Sequence, residues 1–147
     1  MNVCFICKRV EMVRDGINPY LIHEFKSSIF VMGDHQLYKG MSFLLLKNHY
    51  TELHQIPMEE YVALSRDLHI AGNAISKTFS PDKMNYSCLG NGDAHVHWHL
   101  IPRYKSDPDW GELPYLKREH PREHMISEAK ARDLANLVRV NLAIAKV

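Results

Sequence analysis

The sequence predicts an α+β domain with a mainly antiparallel sheet of about five strands and two main helices against one face. Three observations support this fold class. Short β-forming runs follow one another across turn-sized gaps, which is typical of antiparallel neighbours. Two longer segments repeat apolar residues at helical spacing. The glycine-rich phosphate-binding motifs of parallel nucleotide-binding sheets do not occur in the sequence.

The predicted strands are short and are separated by turn residues. Residues 8–19 are largely polar, and they end with Gly16 and Asn18-Pro19, where we expect a turn. A Gly90-Asn91-Gly92-Asp93 turn separates the last two strands. The five strands are Tyr20–Phe25, Ser28–Met32, Met41–Lys47, Met84–Leu89 and His95–Ile101.

Two apolar stripes predict the helices. The first helix spans residues 57–79, starts near Pro57 and stops at Ser80-Pro81. The second starts at the N-cap Ser127. Residues 102–122 contain four prolines, so we expect an arm there. We expect one domain over 1–147, with its core at 3–104 and the arm and last helix at 105–147. The stripes are Tyr61, Leu64, Leu68, Ala71 and Ile75, then Ala131, Leu134, Val138, Leu142 and Ala145.

Composition excludes several classes of function. The 18 Lys and Arg residues nearly balance the 17 Asp and Glu residues, so no basic field for nucleic acid exists. Three cysteines are too few for a disulfide framework. No apolar run reaches the roughly 18–20 residues that span a bilayer, and the N-terminus lacks a signal-peptide pattern. We therefore expect a reduced, cytoplasmic protein that binds neither nucleic acid nor membrane.

Three histidines alternate along the fifth predicted strand. Strand side chains alternate between faces, so His95, His97 and His99 are expected on one side, roughly 6–7 Å apart, opposite an apolar face. A neutral imidazole is a nucleophile near pH 7, and a neighbouring imidazole donates to phosphate oxygens. The same track suits a metal ion, and three solvated histidines on an edge strand are the non-functional alternative.

These residues resemble a known motif. His95-Val96-His97-Trp98-His99-Leu100-Ile101, followed by Pro102-Arg103, resembles the motif of the histidine triad (HIT) family. Cys4–Lys8 is similar to the opening of many bacterial members, and Gly40–His49 resembles their second conserved block. The resemblance implies a HIT-like fold and a homodimer that joins two sheets edge to edge.

The resemblance also implies a reaction and roles. It implies a hydrolase or nucleotidyl transferase that cleaves the α-phosphate linkage of a nucleoside monophosphate derivative, such as a dinucleoside polyphosphate or adenosine phosphoramidate. His97 would be the nucleophile and form a nucleotidyl-histidine intermediate. His99 would contact the phosphate and assist the leaving group. His95 would orient the site or bind a metal.

Two segments depart from the family pattern. Met41 stands where many members carry a further histidine. The turn Gly90–Ala94 lacks the usual glutamine and hydroxyl residue, and Asn91 is either their replacement as a phosphate donor or a plain turn residue.

The remaining candidate residues would bind substrate. Asp34 lies near the family position that holds the ribose hydroxyls. Phe30, with Leu21 or Ile22, either sandwiches the base or packs in the core. Arg103 either meets phosphates or forms a surface ion pair. Trp110 and Tyr115 on the arm stack a second base or pack on the protein.

Cys4 and Cys7 form a Cys-x-x-Cys pair. A zinc half-site needs two more ligands, and His49 and His95 are the available histidines. The resemblance adds weight, because galactose-1-phosphate uridylyltransferases and some bacterial triad proteins use a similar set. We therefore expect structural zinc on Cys4, Cys7, His49 and His95. A redox pair would head a helix in a thioredoxin-like unit, which is not predicted, and two buried thiols are the remaining alternative.

Three functions thus compete. The favoured one is a hydrolase working through a nucleotidyl-histidine. The second is a metal-binding protein that uses the three histidines as ligands. The third is a nucleotide-binding regulator with vestigial catalysis, for which the altered turn before the triad leaves room.

Overall fold

The computed structural model describes residues 4–116 and 121–142 and contains one five-stranded sheet. Every neighbouring pair of strands is antiparallel, in the order β1-β2-β3-β5-β4. The predicted antiparallel α+β fold is confirmed. The strands are β1 Leu21–Glu24, β2 Ser28–Met32, β3 Ser42–Leu46, β4 Lys83–Ser87 and β5 His97–Arg103.

Within the described residues, three α-helices accompany the sheet: α1 Phe5–Arg14, α2 Met58–Phe79 and α3 Glu128–Val140. The predicted pair, α2 and α3, is present. Helix α1 was not predicted, because residues 8–14 were identified only as largely polar, while the expected turn at Gly16 and Pro19 is present after the helix. Its apolar residues are few but correctly spaced: Ile6, Val10 and Val13 pack against one face of the sheet.

Helices cover both faces of the sheet. The main core lies between α2, α3 and one face, to which alternate residues such as Phe30, Leu44 and Leu100 contribute. On the opposite face, α1 covers Ile29, Val31 and Leu45. The arm after β5 lies on this second face too, since Tyr115 packs on the cluster around Ile101. A groove is therefore left between α1 and the arm.

The strand that carries the triad begins later than predicted. β5 starts at His97, because the backbone at 95–96 pairs with segments outside it: the amide of His95 donates to Asp93 at 2.8 Å and that of Val96 to Tyr50 at 2.8 Å. The side chains nevertheless keep the alternation, since His95 meets Cys4 at the start of α1 while Val96 packs in the main core on the other face.

The loop between β2 and β3 is fastened to the segment before α3. The amide of Ile126 donates to the carbonyl of Asp34 at 2.9 Å, and the amide of Gln36 donates to that of His124 at 2.9 Å. This short antiparallel bridge holds Asp34 at the rim of the groove. Among the helices of the described ranges, none has the length and apolarity needed to cross a membrane.

Candidate active site and metal centre

His97 and His99 project from β5 into the groove between α1 and the arm. Their Nε2 atoms lie 3.1 Å apart, and their ring centroids are 5.0 Å apart. Across the sheet, Leu45 stands opposite His97 and Phe43 opposite His99. Two imidazoles thus converge at the edge of an apolar floor.

A backbone carbonyl orients the ring of His97. Its Nδ1–H donates to the carbonyl of His95 at 2.7 Å. Because a carbonyl only accepts, Nδ1 carries the hydrogen and Nε2 carries the lone pair that can attack an electrophile. This bond is the tautomer-fixing contact that a nucleophilic histidine needs, and the sequence could not reveal it.

His99 is held neutral. Burial, with smaller contributions from the nearby His97 and His35, lowers its pKa to about 4. With the lone pair of His97 at Nε2, the 3.1 Å contact requires His99 to donate from its own Nε2. Its buried Nδ1 has no hydrogen-bond partner among the described residues. His99 is therefore a neutral hydrogen-bond donor that points at Nε2 of His97, the atom next to which a phosphate would bind.

The groove contains a cavity of about 200 Å³ with an apolar end and a polar end. Such a lining suits a ligand with one flat apolar part and one charged part. The apolar lining comprises Phe5, Ile6, Tyr20, Val31, Met32, Phe43 and Leu45, and the polar lining comprises Arg9, Asp34, Asp93, His97 and His99.

Asp34 lies at the rim of this cavity, as the prediction of a ribose contact requires. Nη2 of Arg9 donates to its Oδ2 at 2.9 Å. The Arg9 guanidinium also lies over the rings of Tyr20, at 4.4 Å from the centroid, and Phe5, at 4.8 Å. The carboxylate is thus kept in one position by a guanidinium that two aromatic rings hold.

His95 lies on the α1 face with the other two histidines but outside the cavity that they line. Its ring is fully buried beside the two cysteines. Its Nδ1 is 3.4 Å from the Sγ of Cys4 and 3.5 Å from that of Cys7. In the described part of the chain the triad therefore forms no three-histidine metal site.

The predicted zinc ligands instead come together. One donor atom from each of Cys4, Cys7, His49 and His95 lies within 4.8 Å of all the others. Nδ1 of His49 is 3.3 Å from the Sγ of Cys7. In a tetrahedral site with metal–sulfur bonds of about 2.3 Å, donors are about 3.8 Å apart. The contacts of 3.3–3.5 Å and the outer limit of 4.8 Å lie on either side of that spacing.

The donor chemistry also fits a zinc ion. Nε2–H of His95 donates to the carbonyl of Leu46 at 2.8 Å, so the lone pair is on Nδ1 and faces the thiols. Histidines that bind a metal are commonly held by such a hydrogen bond from their other ring nitrogen. Burial raises the pKa of the Cys7 thiol, and the neighbouring Cys4 raises it further, so a cation is needed to hold Cys7 as a thiolate. Although α1 follows Cys4, it leads into an antiparallel hairpin rather than the thioredoxin-like unit of a redox pair.

Two predicted substrate contacts were wrong. Phe30 is fully buried in the main core on the opposite face of the sheet, as is Ile22, while Leu21 packs under α1. The side chain of Arg103, 2% exposed, is saturated by Asp107 at 2.9 Å and Asp109 at 2.7 Å. It holds the arm and does not reach a phosphate.

The other candidate residues lie in the turn before the triad and on the arm. Asn91 is exposed in the turn before the triad, so its phosphate contact stays a prediction. The ring of Tyr115 lies 6.2 Å from that of His99, and its hydroxyl donates to Sδ of Met41 at 3.1 Å, so it packs beside the site. Trp110 lines a separate cavity of about 830 Å³ between β4 and the arm.

Comparison with known proteins identifies the family. The HIT domain model matches residues 17–106, which is more than half of the chain. The chain belongs to the HIT domain family. A relative, the adenylylsulfatase HINT3 of Arabidopsis thaliana, is 28% identical over 149 aligned positions, covering 96% of this chain and 70% of the relative.

Solved structures of HIT proteins share the fold. A zinc-bound histidine triad family protein from Mycobacterium smegmatis is similar with a TM-score of 0.66 and 18% identity, covering 95% of this chain and 92% of that one. A diadenosine triphosphate hydrolase from Plasmodium falciparum is similar with a TM-score of 0.66 and 16% identity, covering 83% and 75%.

Sequence reasoning missed several residues of this HIT site. Arg9 and Tyr20 were overlooked because α1 was not predicted, although the spacing of Ile6, Val10 and Val13 could have indicated it. His35 lies next to Asp34, its ring 6.2 Å from Phe43, and its buried Nδ1 has no partner among the described residues. No sequence pattern pointed to it.

Proposed function

We propose that the chain is a nucleotide hydrolase that cleaves the α-phosphate linkage of a nucleoside monophosphate derivative through a covalent intermediate on His97. The geometry of His97 carries the proposal: Nδ1 donates to the His95 carbonyl at 2.7 Å, so the Nε2 lone pair is directed into the cavity. Membership of the HIT domain family and the adenylylsulfatase relative support a hydrolase.

The nucleotide is placed by the two ends of the cavity. The base lies on the apolar floor of Val31 and Leu45 under α1, and the ribose hydroxyls donate to Asp34. The α-phosphate then lies at His97 and His99, the polar end. This order matches the sequence of groups in a nucleoside monophosphate.

The chemistry has two displacements at phosphorus. Nε2 of His97 forms a bond to the α-phosphorus while the bond to the leaving group breaks, and Nε2–H of His99 donates to the phosphate oxygens or the leaving atom. The His95 carbonyl stabilises the positive charge that His97 then carries. A water molecule next attacks phosphorus as the phosphorus–nitrogen bond breaks. The bonding pair returns to Nε2, which restores neutral His97, and the proton of the water passes to bulk solvent.

The leaving group departs on the β4 side of His99. Ser87 stands directly opposite His99 in the β4–β5 ladder, and the larger cavity beyond it reaches Trp110. A dinucleoside polyphosphate, an adenosine phosphoramidate and adenylyl sulfate are the substrates to compare. A second base on Trp110 and Tyr115 would distinguish the first of these from the others.

We propose structural zinc at Cys4, Cys7, His49 and His95. The converging donors and the carbonyl-supported His95 support it. When bound, the ion holds α1 and the segment before β5 together and takes no part in the displacements.

A homodimer through β4 is also proposed. β4 is an edge strand of the sheet, and its Tyr86 is 45% exposed for a large aromatic residue. Pairing of two β4 edges would give the extended sheet that the resemblance implies. Analytical ultracentrifugation tests it: a monomer throughout the micromolar range would reject the dimer.

The activity is tested with a panel of the three substrates on wild type, His97→Ala and the control His69→Ala, which removes an exposed histidine on α2. We expect turnover of at least one substrate, unchanged in the control and abolished by His97→Ala while circular dichroism stays unchanged. In single turnover, a substrate labelled at the α-phosphate should label wild-type protein and not His97→Ala.

Other outcomes would overturn the proposal. If His97→Ala turned over substrate at the wild-type rate, His97 would not be the nucleophile. Nucleotide binding without turnover or labelling supports the regulator with vestigial catalysis. Bound metal without nucleotide binding or turnover supports a metal-binding protein.

A further inference from the structure

Arg9 is a cavity-lining cation that neither the triad nor the metal centre uses. Its side chain is only 15% exposed, and it lies on α1 between the rings of Phe5 and Tyr20. Nη2 donates to Asp34 at 2.9 Å. The guanidinium is therefore fixed on three sides at the rim where the ribose is proposed to lie.

Arg9 retains donors for a ligand. A guanidinium has about five N–H groups in a rigid fork, and only the bond from Nη2 to Asp34 uses one among the described residues. Asp34 likewise accepts at Oδ2 and has a second oxygen without a partner in the described ranges. The pair thus presents donors and acceptors side by side to the cavity.

This combination matches the chemistry of a ribose diol. Each hydroxyl is both a donor and an acceptor, so a carboxylate alone satisfies half of its capacity. A carboxylate next to a guanidinium with spare N–H groups satisfies both halves. Hydrogen bonds to charged groups are the stronger ones in proteins, and both partners here are charged.

We infer that Arg9 is a specificity-determining residue that, together with Asp34, binds the ribose 2′- and 3′-hydroxyls and so selects ribonucleotides over deoxyribonucleotides. The inference rests on the proposed function, because it uses the same nucleotide pose. It goes beyond a ribose contact by Asp34, since the selecting element is the ion pair that α1 completes.

The same ion pair selects against a phosphate on the ribose. An unpaired arginine would attract a 3′-phosphate, but the carboxylate of Asp34 lies 2.9 Å from Nη2 and repels the added negative charge. Adenosine 3′,5′-bisphosphate should therefore bind the wild-type chain more weakly than AMP.

The test is equilibrium binding of AMP, 2′-deoxy-AMP, 3′-deoxy-AMP and 2′,3′-dideoxy-AMP by calorimetry. The full chain is used as wild type, Arg9→Met and Arg9→Lys. Arg14→Met is the matched control, because it removes an exposed arginine from the last turn of the same helix. Within each variant, the ratio of the dideoxy-AMP to the AMP dissociation constant cancels any common loss of folded protein.

We expect a ratio of at least about 30 for wild type and for Arg14→Met, from two hydrogen bonds to charged groups. Arg9→Met should lower it below about 5, chiefly by weakening AMP. Arg9→Lys should lie between, since it keeps the charge and loses the fork. A ratio for Arg9→Met equal to that of wild type would overturn the inference, as would tighter binding of the bisphosphate than of AMP.

This outcome is separable from failure of the proposed function. If the wild type binds none of the four nucleotides, the nucleotide pose itself is wrong. If it binds AMP and discriminates against deoxyribose in every variant alike, only the role of Arg9 is rejected. Loss of turnover in His97→Ala with an unchanged binding ratio would support both proposals.

Discussion

The carbonyl of His95 accepts the Nδ1 hydrogen of His97 at 2.7 Å, while the imidazole of the same His95 lies 3.4 Å from the Sγ of Cys4. One residue therefore belongs to both centres through different atoms. The position of the nucleophile is tied to the proposed zinc site through two covalently linked groups, and removal of the ion should be detectable at His97.

Removal of the metal should lower both stability and activity. We expect Cys7→Ser to lose most of its zinc, to melt at a lower temperature and to lose about 10- to 100-fold in kcat, as changes around ligated metals do. Metal analysis, thermal melts and steady-state kinetics measure these effects. Cys88→Ser is the control, since Cys88 lies outside the four-ligand group. Fewer than about 0.2 equivalents of zinc per chain in wild-type protein purified without chelator would reject the proposed zinc site.

Acid should destabilise the fold through His99. Burial lowers its pKa from 6.5 to about 4, so the unfolded chain takes up the proton first as the pH falls. The stabilisation is complete above pH 6.5 and is lost as the pH falls towards 4, at no more than about 1.4 kcal/mol per pH unit for one group.

Denaturant unfolding between pH 7 and 4, in the presence of a chelator, measures this slope. His99→Gln should show a shallower decline than wild type, while His54→Gln, which replaces an exposed histidine, should not. Equal slopes in all three proteins would show that His99 is protonated as easily in the folded chain as in the unfolded one.

Replacement of Arg103 should destabilise the fold without acting on the phosphate. Arg103→Met leaves Asp109 buried without its partner, and breaking a buried ion pair typically costs about 3–5 kcal/mol. We expect that loss in the free energy of unfolding, and a KM for folded protein within about twofold of wild type. Lys105→Met, at an exposed lysine, is the control. A large rise in KM without loss of stability would instead support the alternative that Arg103 contacts a phosphate.

Gly40 should not tolerate a side chain. Its φ of +87° favours glycine, and a Cβ would lie 2.6 Å from the ring of Phe79. Gly40→Ala should therefore lower the free energy of unfolding by about 2–4 kcal/mol, from backbone strain and overpacking together. Gly92→Ala is the matched control, because a Cβ there meets nothing within 4 Å. Urea denaturation compares the two; equal stabilities would show that Phe79 and the backbone adjust freely.

Much of the fold follows from local patterns, whereas the faces of β2 do not. Every residue of β2 is buried, because helices cover both sides of the sheet, so its sequence has no alternation from which to tell Phe30 from Val31. The choice of Phe30 over Val31 as a cavity residue therefore had no physical basis in the sequence. Histidines 97 and 99 were predicted correctly as a pair because polar and apolar residues alternate along β5.

Long-range backbone pairing explains why β5 begins later than predicted. The predicted strand started at His95, but the amide of Val96 bonds to Tyr50, which is distant in sequence. The four candidate zinc ligands were found nevertheless, because the pattern Cys-x-x-Cys and the number of histidines restrict the choice of donors independently of strand register.

The bridge that joins Asp34 and Gln36 to Ile126 and His124 links the ribose-facing loop to the chain just ahead of α3. Ile126→Pro, which removes the amide that donates to Asp34 and keeps α3, would thus release that loop. Such a variant would hold nucleosides less tightly although both triad imidazoles on β5 were untouched.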